Sequence, residues 1–204
     1  MKKLLLLPCL VAGLALSVAG GTASAGSHKG ADACQHATKQ PFLPWLDVGS
    51  YFLAPGGSFE SGLSGWTTTG GARIVSGNES YFVTSKADSQ SLLLPAGSSA
   101  TTPSICVSLD SPDFRVFAEN SGSLLSALGV TLNYTDGTGE ARSVPLAPII
   151  GGPSWSLSSP ELILANITSI LSTNGQTWIT FTFTPVLAGK WQIDDLYVDP
   201  IKHV

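Results

Sequence analysis

From residue 57 onward, polar and apolar positions alternate in short runs divided by turn signals. The clearest run is "QTWITFTFTP" (176–185). Successive side chains of a strand point to opposite faces, so Ile179, Phe181 and Phe183 fall on one side and Trp178, Thr180 and Thr182 on the other. The first set belongs in a core and the Thr-rich set in water, with Trp178 among it. "LGVTLNY" (128–134) likewise points Leu128, Val130, Leu132 and Tyr134 inward. Further short runs read as strands: 72–76, 80–84, 91–94, 104–109, 114–119, 141–146 and 190–199. Asp136-Gly137 marks a hairpin between 128–134 and 141–146. Many short strands without intervening helices predict an all-β sandwich or barrel.

One segment departs from the pattern. "SPELILANITSILS" (159–172) offers Ser159 as an N-cap, Pro160 at the first helical position and Glu161 in the first turn. Ile163, Ile167, Ile170 and Leu171 then recur at helical spacing, which predicts one short helix near 160–172 over an open end of the sandwich.

The N-terminal third has no such alternation. Lys2 and Lys3 precede the apolar run "LLLLPCLVAGLALSVAG" and the small residues Ala23 to Ala25. That order reads as a signal peptide over 1–25, cleaved after Ala25, and hence as a secreted or envelope protein. No later stretch is apolar and long enough to span a bilayer. Residues 26–55 form an arm. Its first part is polar and aperiodic. Its second, "PFLPWLDVGSYFLAP" (41–55), is aromatic and too rich in proline for a long helix, so it is expected to pack extended along the domain. The domain proper is 56–204. Once Cys9 has left with the signal, Cys34 and Cys106 are an even pair in an exported chain, which predicts one disulfide tying the arm to the body.

Charge changes the picture by its scarcity. Asp, Glu, Lys and Arg make up 12% of the chain, about half the usual ~25%. The net charge of −4 and the lack of a basic run after Lys3 argue against nucleic acid. The histidines are His28, His36 and His203, so residues 37–202 hold no imidazole base for a Ser or Cys nucleophile. Carboxylate-only chemistry needs two acids converging in a cleft. Asp194 and Asp195, adjacent on one strand, are expected on opposite faces, one of them solvated. The chain is therefore read as not an enzyme.

Two stretches resemble a known family. "GGSFESGLSGW" (56–66) and "WQIDDLYVDP" (191–200) look like the opening and closing segments of carbohydrate-binding modules of xylanases and endoglucanases, the galactose-binding-like jelly rolls. The resemblance implies a jelly-roll β-sandwich whose first and last strands run side by side. It also implies a structural Ca²⁺ held by Glu60 and one of the Asp pair, for which the family pattern favours Asp194. Sugar recognition needs exposed aromatic platforms, and Trp155, Trp178 and Tyr81 are the candidates; Trp45 and Trp66 look like packing residues. The function implied is that of a secreted, non-catalytic protein binding polysaccharide or cell-wall glycan. The alternative is an extracellular structural or protein-interaction domain on the same fold.

Overall fold

A computed structural model describes residues 34, 36–108, 113–163 and 176–199. The expected signal segment and residues 164–172 of the expected helix lie outside the described residues. The chain is all-β, as the alternation predicts. Among the described residues, the strands run β1 (Phe52–Leu53), β2 (Thr67–Thr69), β3 (Arg73–Ser76), β4 (Gln90–Leu94), β5 (Ser99–Thr101), β6 (Ile105–Ser108), β7 (Asp113–Asn120), β8 (Leu128–Thr135), β9 (Ala141–Pro145), β10 (Ser156–Leu157), β11 (Glu161–Leu162), β12 (Gln176–Pro185) and β13 (Trp191–Val198).

They form two antiparallel sheets. A seven-stranded sheet has the order β10-β7-β13-β4-β3, with β1 beside β13 and β11 beside β7; a six-stranded sheet has the order β2-β5-β12-β8-β9, with β6 beside β12. β1, within the 26–55 arm, sets Phe52 opposite Val198 and Leu53 opposite Tyr197, and the opening segment 56–66 meets the last strand where Leu196 N–H donates to Gly57 O at 3.1 Å. Among the described residues, no helix is long and apolar enough to cross a membrane.

The core between the sheets is filled by the residues that alternation points inward. Ile179, Phe181 and Phe183 from β12 and Leu128, Val130 and Leu132 from β8 are all at most 2% exposed. Trp66 closes this core, its ring 5.1 Å from that of Phe59 and its indole N–H donating to Pro55 O. A second cluster lies on the outer side of the seven-stranded sheet. There the arm, which makes a short 3-10 turn at Leu43–Trp45, lays Phe42 and Tyr51 on Phe117 and Tyr197, with Trp45, Leu53, Val83, Trp155 and Leu157 around them. This sheet is thus covered on both faces, which is why β13 reads as an almost unbroken buried strand.

Two expectations are corrected. Residues 80–84 are a loop, not a strand: Phe82 has φ 54° and the peptide N–H groups of Tyr81 and Val83 turn to the Glu79 carboxylate instead of a ladder. The expected first helical turn at 160–162 is also not helical, because Glu161 and Leu162 pair as β11 with Phe114 and Asp113. An extended strand edge at β7 supplies these backbone groups with partners that outweigh the local capping signal.

Candidate functional site

The closing strand does not alternate through its whole length. Between Asp194 and Tyr197 the pairing with β7 shifts register, and Asp195 takes φ 48°. Such a bulge inserts an extra residue and reverses the facing of every later position in the strand. Trp191 and Ile193 before it, and Leu196 and Val198 after it, all enter the same core. Both aspartates are left on the side away from that core, beneath residues 79–84. The expectation of one inward and one solvated aspartate is therefore wrong: Asp194 is 0% and Asp195 1% exposed.

Glu79, also fully buried, joins them. The three carboxylates are held by backbone and hydroxyl donors. Asp194 accepts Glu79 N–H at 3.0 Å and Asp195 N–H at 2.9 Å. Asp195 accepts Thr84 N–H at 3.1 Å and Thr84 Oγ–H at 2.7 Å, and Thr84 Oγ lies 2.8 Å from the Tyr197 hydroxyl. Burial pushes the Asp194 carboxyl up to about 8, its N–H donors opposing and the Asp195 and Glu79 charges adding. Burial likewise pushes Asp195 up to about 6, and Glu79 is raised for the same reason despite its three backbone donors.

Glu60, between β1 and β2, binds farther along the chain at residues 89–90. Its Oε1 accepts the N–H groups of Ser89 at 2.8 Å and Gln90 at 2.7 Å, and Oε2 takes the Ser89 hydroxyl at 3.5 Å. Calcium wants six to eight oxygens. Asp194 takes its donors from Glu79 and Asp195 and Glu60 takes its own from Ser89 and Gln90, so the two carboxylates share no donor. Among the described residues, no three His, Cys, Asp or Glu side chains stand together as a metal site. Two further oxygens of residues 78–90, Asn78 Oδ1 and Asp88 Oδ2, are buried without a hydrogen-bond partner. Cys34 and Cys106 stand with Cα atoms 5.0 Å apart, within reach of the expected disulfide, which sets the arm beside β6.

The three aromatic candidates do not converge. Tyr81 is 52% exposed but stands edge-on to Trp45 at 4.9 Å and lies 5.5 Å from Phe117, on the arm side. Trp155 packs against the same cluster. Trp178, 44% exposed, is on the opposite side of the molecule, on the outer face of the six-stranded sheet.

That outer face is built in rows. Directly opposed residues of an antiparallel pair share a face. One row crosses five strands as Thr67, Thr101, Thr182, Thr131 and Pro145; the next holds Thr180, Asn133 and Ser143; beyond it stands Trp178 opposite Cys106. None of these residues carries a charge. Their polar groups hydrogen-bond laterally: Thr101 Oγ1 to Thr182 Oγ1 at 2.8 Å, Asn133 Nδ2 to Thr182 Oγ1 at 3.0 Å, and Ser143 Oγ to Asn133 Oδ1 at 2.8 Å. The lateral bonds hold each hydroxyl in place while leaving lone pairs and protons for a ligand.

A cavity of about 500 Å³ opens between the arm and β7, lined by Trp45, Asp47, Tyr51, Asp113 and Arg115 among others. Arg115 pairs with Asp47 at 2.7 Å and donates twice to Ser158 O, and Tyr51 O–H donates to Asp47 at 2.9 Å. Asp113 Oδ1 is buried without a hydrogen-bond partner, and burial pushes this carboxyl up to about 6. The sequence held no signal for this pocket beyond the aromatic composition of the arm.

Comparison with known proteins is informative for the fold. No family model and no curated protein matches the chain. Solved structures do. The tandem CBM22-1–CBM22-2 domain of Paenibacillus barcinonensis Xyn10C is 16% identical over 76% of this chain and 47% of that one, with a TM-score of 0.51. The fold is a carbohydrate-binding-module-like jelly roll. Other jelly rolls with weaker superposition are a xylan-binding CBM22 domain, 20% identical over 78% of this chain and 99% of that one with TM-score 0.47, and TmCBM61 in complex with β-1,4-galactotriose, 22% identical over 72% and 96% with TM-score 0.41. At these identities the likeness speaks for the jelly roll and not for a ligand.

Proposed function

We propose that the protein is a secreted, non-catalytic glycan-binding domain that takes a neutral polysaccharide on the outer face of the six-stranded sheet. The observation that carries this is Trp178, an exposed indole at the edge of a charge-free field of hydroxyl and amide groups. A pyranose presents an apolar C–H face and a rim of hydroxyls. The indole offers a flat apolar partner for the first, and Thr180, Thr182, Asn133 and Ser143 offer both donors and acceptors for the second. The lack of charge fits an uncharged sugar. Non-catalysis is supported by Asp194 and Asp195, whose oxygens face backbone donors beneath a loop, by Asp47, whose carboxylate in the arm cavity is paired with Arg115, and by the lack of histidine from 37 to 202.

The test is affinity electrophoresis against neutral plant and bacterial polysaccharides, with titration calorimetry on any that retard the protein. Trp178→Ala is expected to weaken binding at least tenfold with an unchanged melting temperature. Retention by no neutral glycan, or equal retention of the variant, refutes the assignment.

A further inference from the structure

Three connections meet at the end of the sandwich where β12 turns into β13. They are residues 121–127, 186–190 and the stretch around 149–152. Ser121 N–H donates to Lys190 O at 2.9 Å, Val186 N–H to Ala127 O at 3.0 Å and Ser126 Oγ–H to Val186 O at 2.6 Å, which ties the first two together. The third is fastened by the exchange between Ile149 and Leu128 and by Asn120 N–H donating to Gly152 O at 2.7 Å. From this hydrogen-bonded base, large aliphatic side chains protrude. Leu124 is 78% exposed, Leu125 82%, Ile150 73%, Leu187 71% and Val186 41%.

Their exposure is held in place by the backbone. Ser126 N–H closes a turn on Ser123 O and Leu125 N–H is caught by Ser123 Oγ. Leu187 and Ala188 have φ 54° and 57°. Two successive left-handed positions are ordinarily filled by Gly or Asn, and an L side chain there is disfavoured. The fold therefore holds an aliphatic tip in water at a conformational cost. Lys190 is the one charged residue in 121–127, 149–152 and 186–190.

We propose that this pole docks onto a lipid bilayer, burying the five aliphatic side chains among the acyl chains. Contiguous exposed apolar groups mark either a protein or a membrane contact. A second copy of the chain is disfavoured by size, since the sixteen residues of 121–127, 149–152 and 186–190 fall short of the roughly 20–30 residues a side of a standard interface. The composition is also purely aliphatic, where protein interfaces favour Tyr, Trp and Arg. A bilayer needs no complementary shape and tolerates protruding knobs. It rejects charge in its interior, and the tips carry none, while Lys190 at their base can extend its ammonium to the headgroups. The pole is at the far end of β12 from Trp178, seven residues or about 23 Å at ~3.3 Å per residue. A membrane contact there does not cover Trp178.

The test is flotation of the secreted chain, its N-terminus checked by intact mass, with neutral phosphatidylcholine vesicles at physiological salt. The protein is expected to float with the vesicles, and Leu124→Ser/Leu125→Ser/Leu187→Ser together are expected to lower partitioning at least tenfold with no change in melting temperature. No flotation of the unaltered protein, or equal flotation of the triple variant, overturns the proposal. So does a dimer in sedimentation velocity that the triple variant abolishes while neither protein floats, which assigns the pole to a second copy.

Discussion

Replacing Asp194 by Asn separates the two effects that its burial combines. In the unaltered protein the Asp194 carboxyl is raised to about 8 and that of Asp195 to about 6. The folded state thus holds protons that the unfolded chain releases near pH 4. Stability from these groups is complete below that pH and is lost as pH rises through about 6 and then 8. At ~1.4 kcal/mol per pKa unit, Asp194 alone, raised to about 8, makes the loss between pH 4 and 9 on the order of 5 kcal/mol. That is comparable to the whole stability of many domains, about 5–15 kcal/mol. Asp194→Asn removes the charge but leaves one carbonyl oxygen for two N–H donors, those of Glu79 and Asp195. The unsatisfied donor costs about 1–3 kcal/mol. The variant is therefore expected to be less stable than the unaltered protein at pH 5 and more stable at pH 9. Urea unfolding monitored by tryptophan fluorescence at pH 5, 7 and 9 with EDTA reads this directly. Working above pH 5 keeps Asp47 and Asp136 ionised; their lowered pKa values act in the opposite sense, losing stability only as pH falls further. Parallel curves for the two proteins, or stability of the unaltered protein that rises from pH 5 to 9, would refute the reasoning.

Other perturbations read other parts of the fold. Gly70→Ala places a Cβ 2.3 Å from Gly97 O and 2.6 Å from Ser98 Cα at φ +59°, so the turn between β2 and β3 must shift; a loss of about 2–4 kcal/mol is expected in urea titration. Arg115→Ala strands Asp47 beneath the arm and is expected to cost about 3–5 kcal/mol by the same assay. Cys34→Ser/Cys106→Ser opens a closure spanning 72 residues, worth roughly 4 kcal/mol by chain entropy, which differential scanning calorimetry will show as a lower melting temperature. Millimolar calcium is expected to leave the melting temperature unchanged, because the oxygens of Glu60 and Asp194 are engaged by backbone and hydroxyl donors; a rise of several degrees would show that residues 79–90 rearrange to release them.

Burial on one side only is what makes a strand legible in the sequence. β8 and β12 face a core on one side and water on the other, so their alternation predicts which residues enter the core. The same logic fails for β13 because the bulge at Asp194–Asp195 reverses parity midway, and no periodicity argument contains an inserted residue. It fails again wherever the arm covers the seven-stranded sheet, since a strand buried on both faces has no polar side to show. β1, β2, β5, β10 and β11 have two or three residues each, too few to display a period of two. Residues 80–84 are aromatic enough to suggest a strand, but the residue that decides their shape is the acid before them. Glu79 in a charge-poor chain draws the N–H groups of Tyr81 and Val83 onto itself, and nothing in its sequence neighbourhood indicates that it is buried.

The arm also determines which surface is left for a ligand. By laying Phe42, Trp45 and Tyr51 on the outer side of the seven-stranded sheet it fills the space a flat ligand would need there, and it takes Tyr81 and Trp155 into its own packing. The buried acids Glu79, Asp113, Asp194 and Asp195 lie on or beside this covered sheet. The six-stranded sheet is left both uncovered across its Thr rows and free of charge in them. A chain that spends 12% of its residues on charge and keeps none in those rows has an open face suited to neutral hydroxyl-bearing ligands and poorly suited to ionic ones. The glycan reading therefore rests on the arm as much as on Trp178: were the arm displaced, Phe117 and Tyr197 would offer a competing aromatic surface, and loss of the Cys34–Cys106 tether is the perturbation that would expose it.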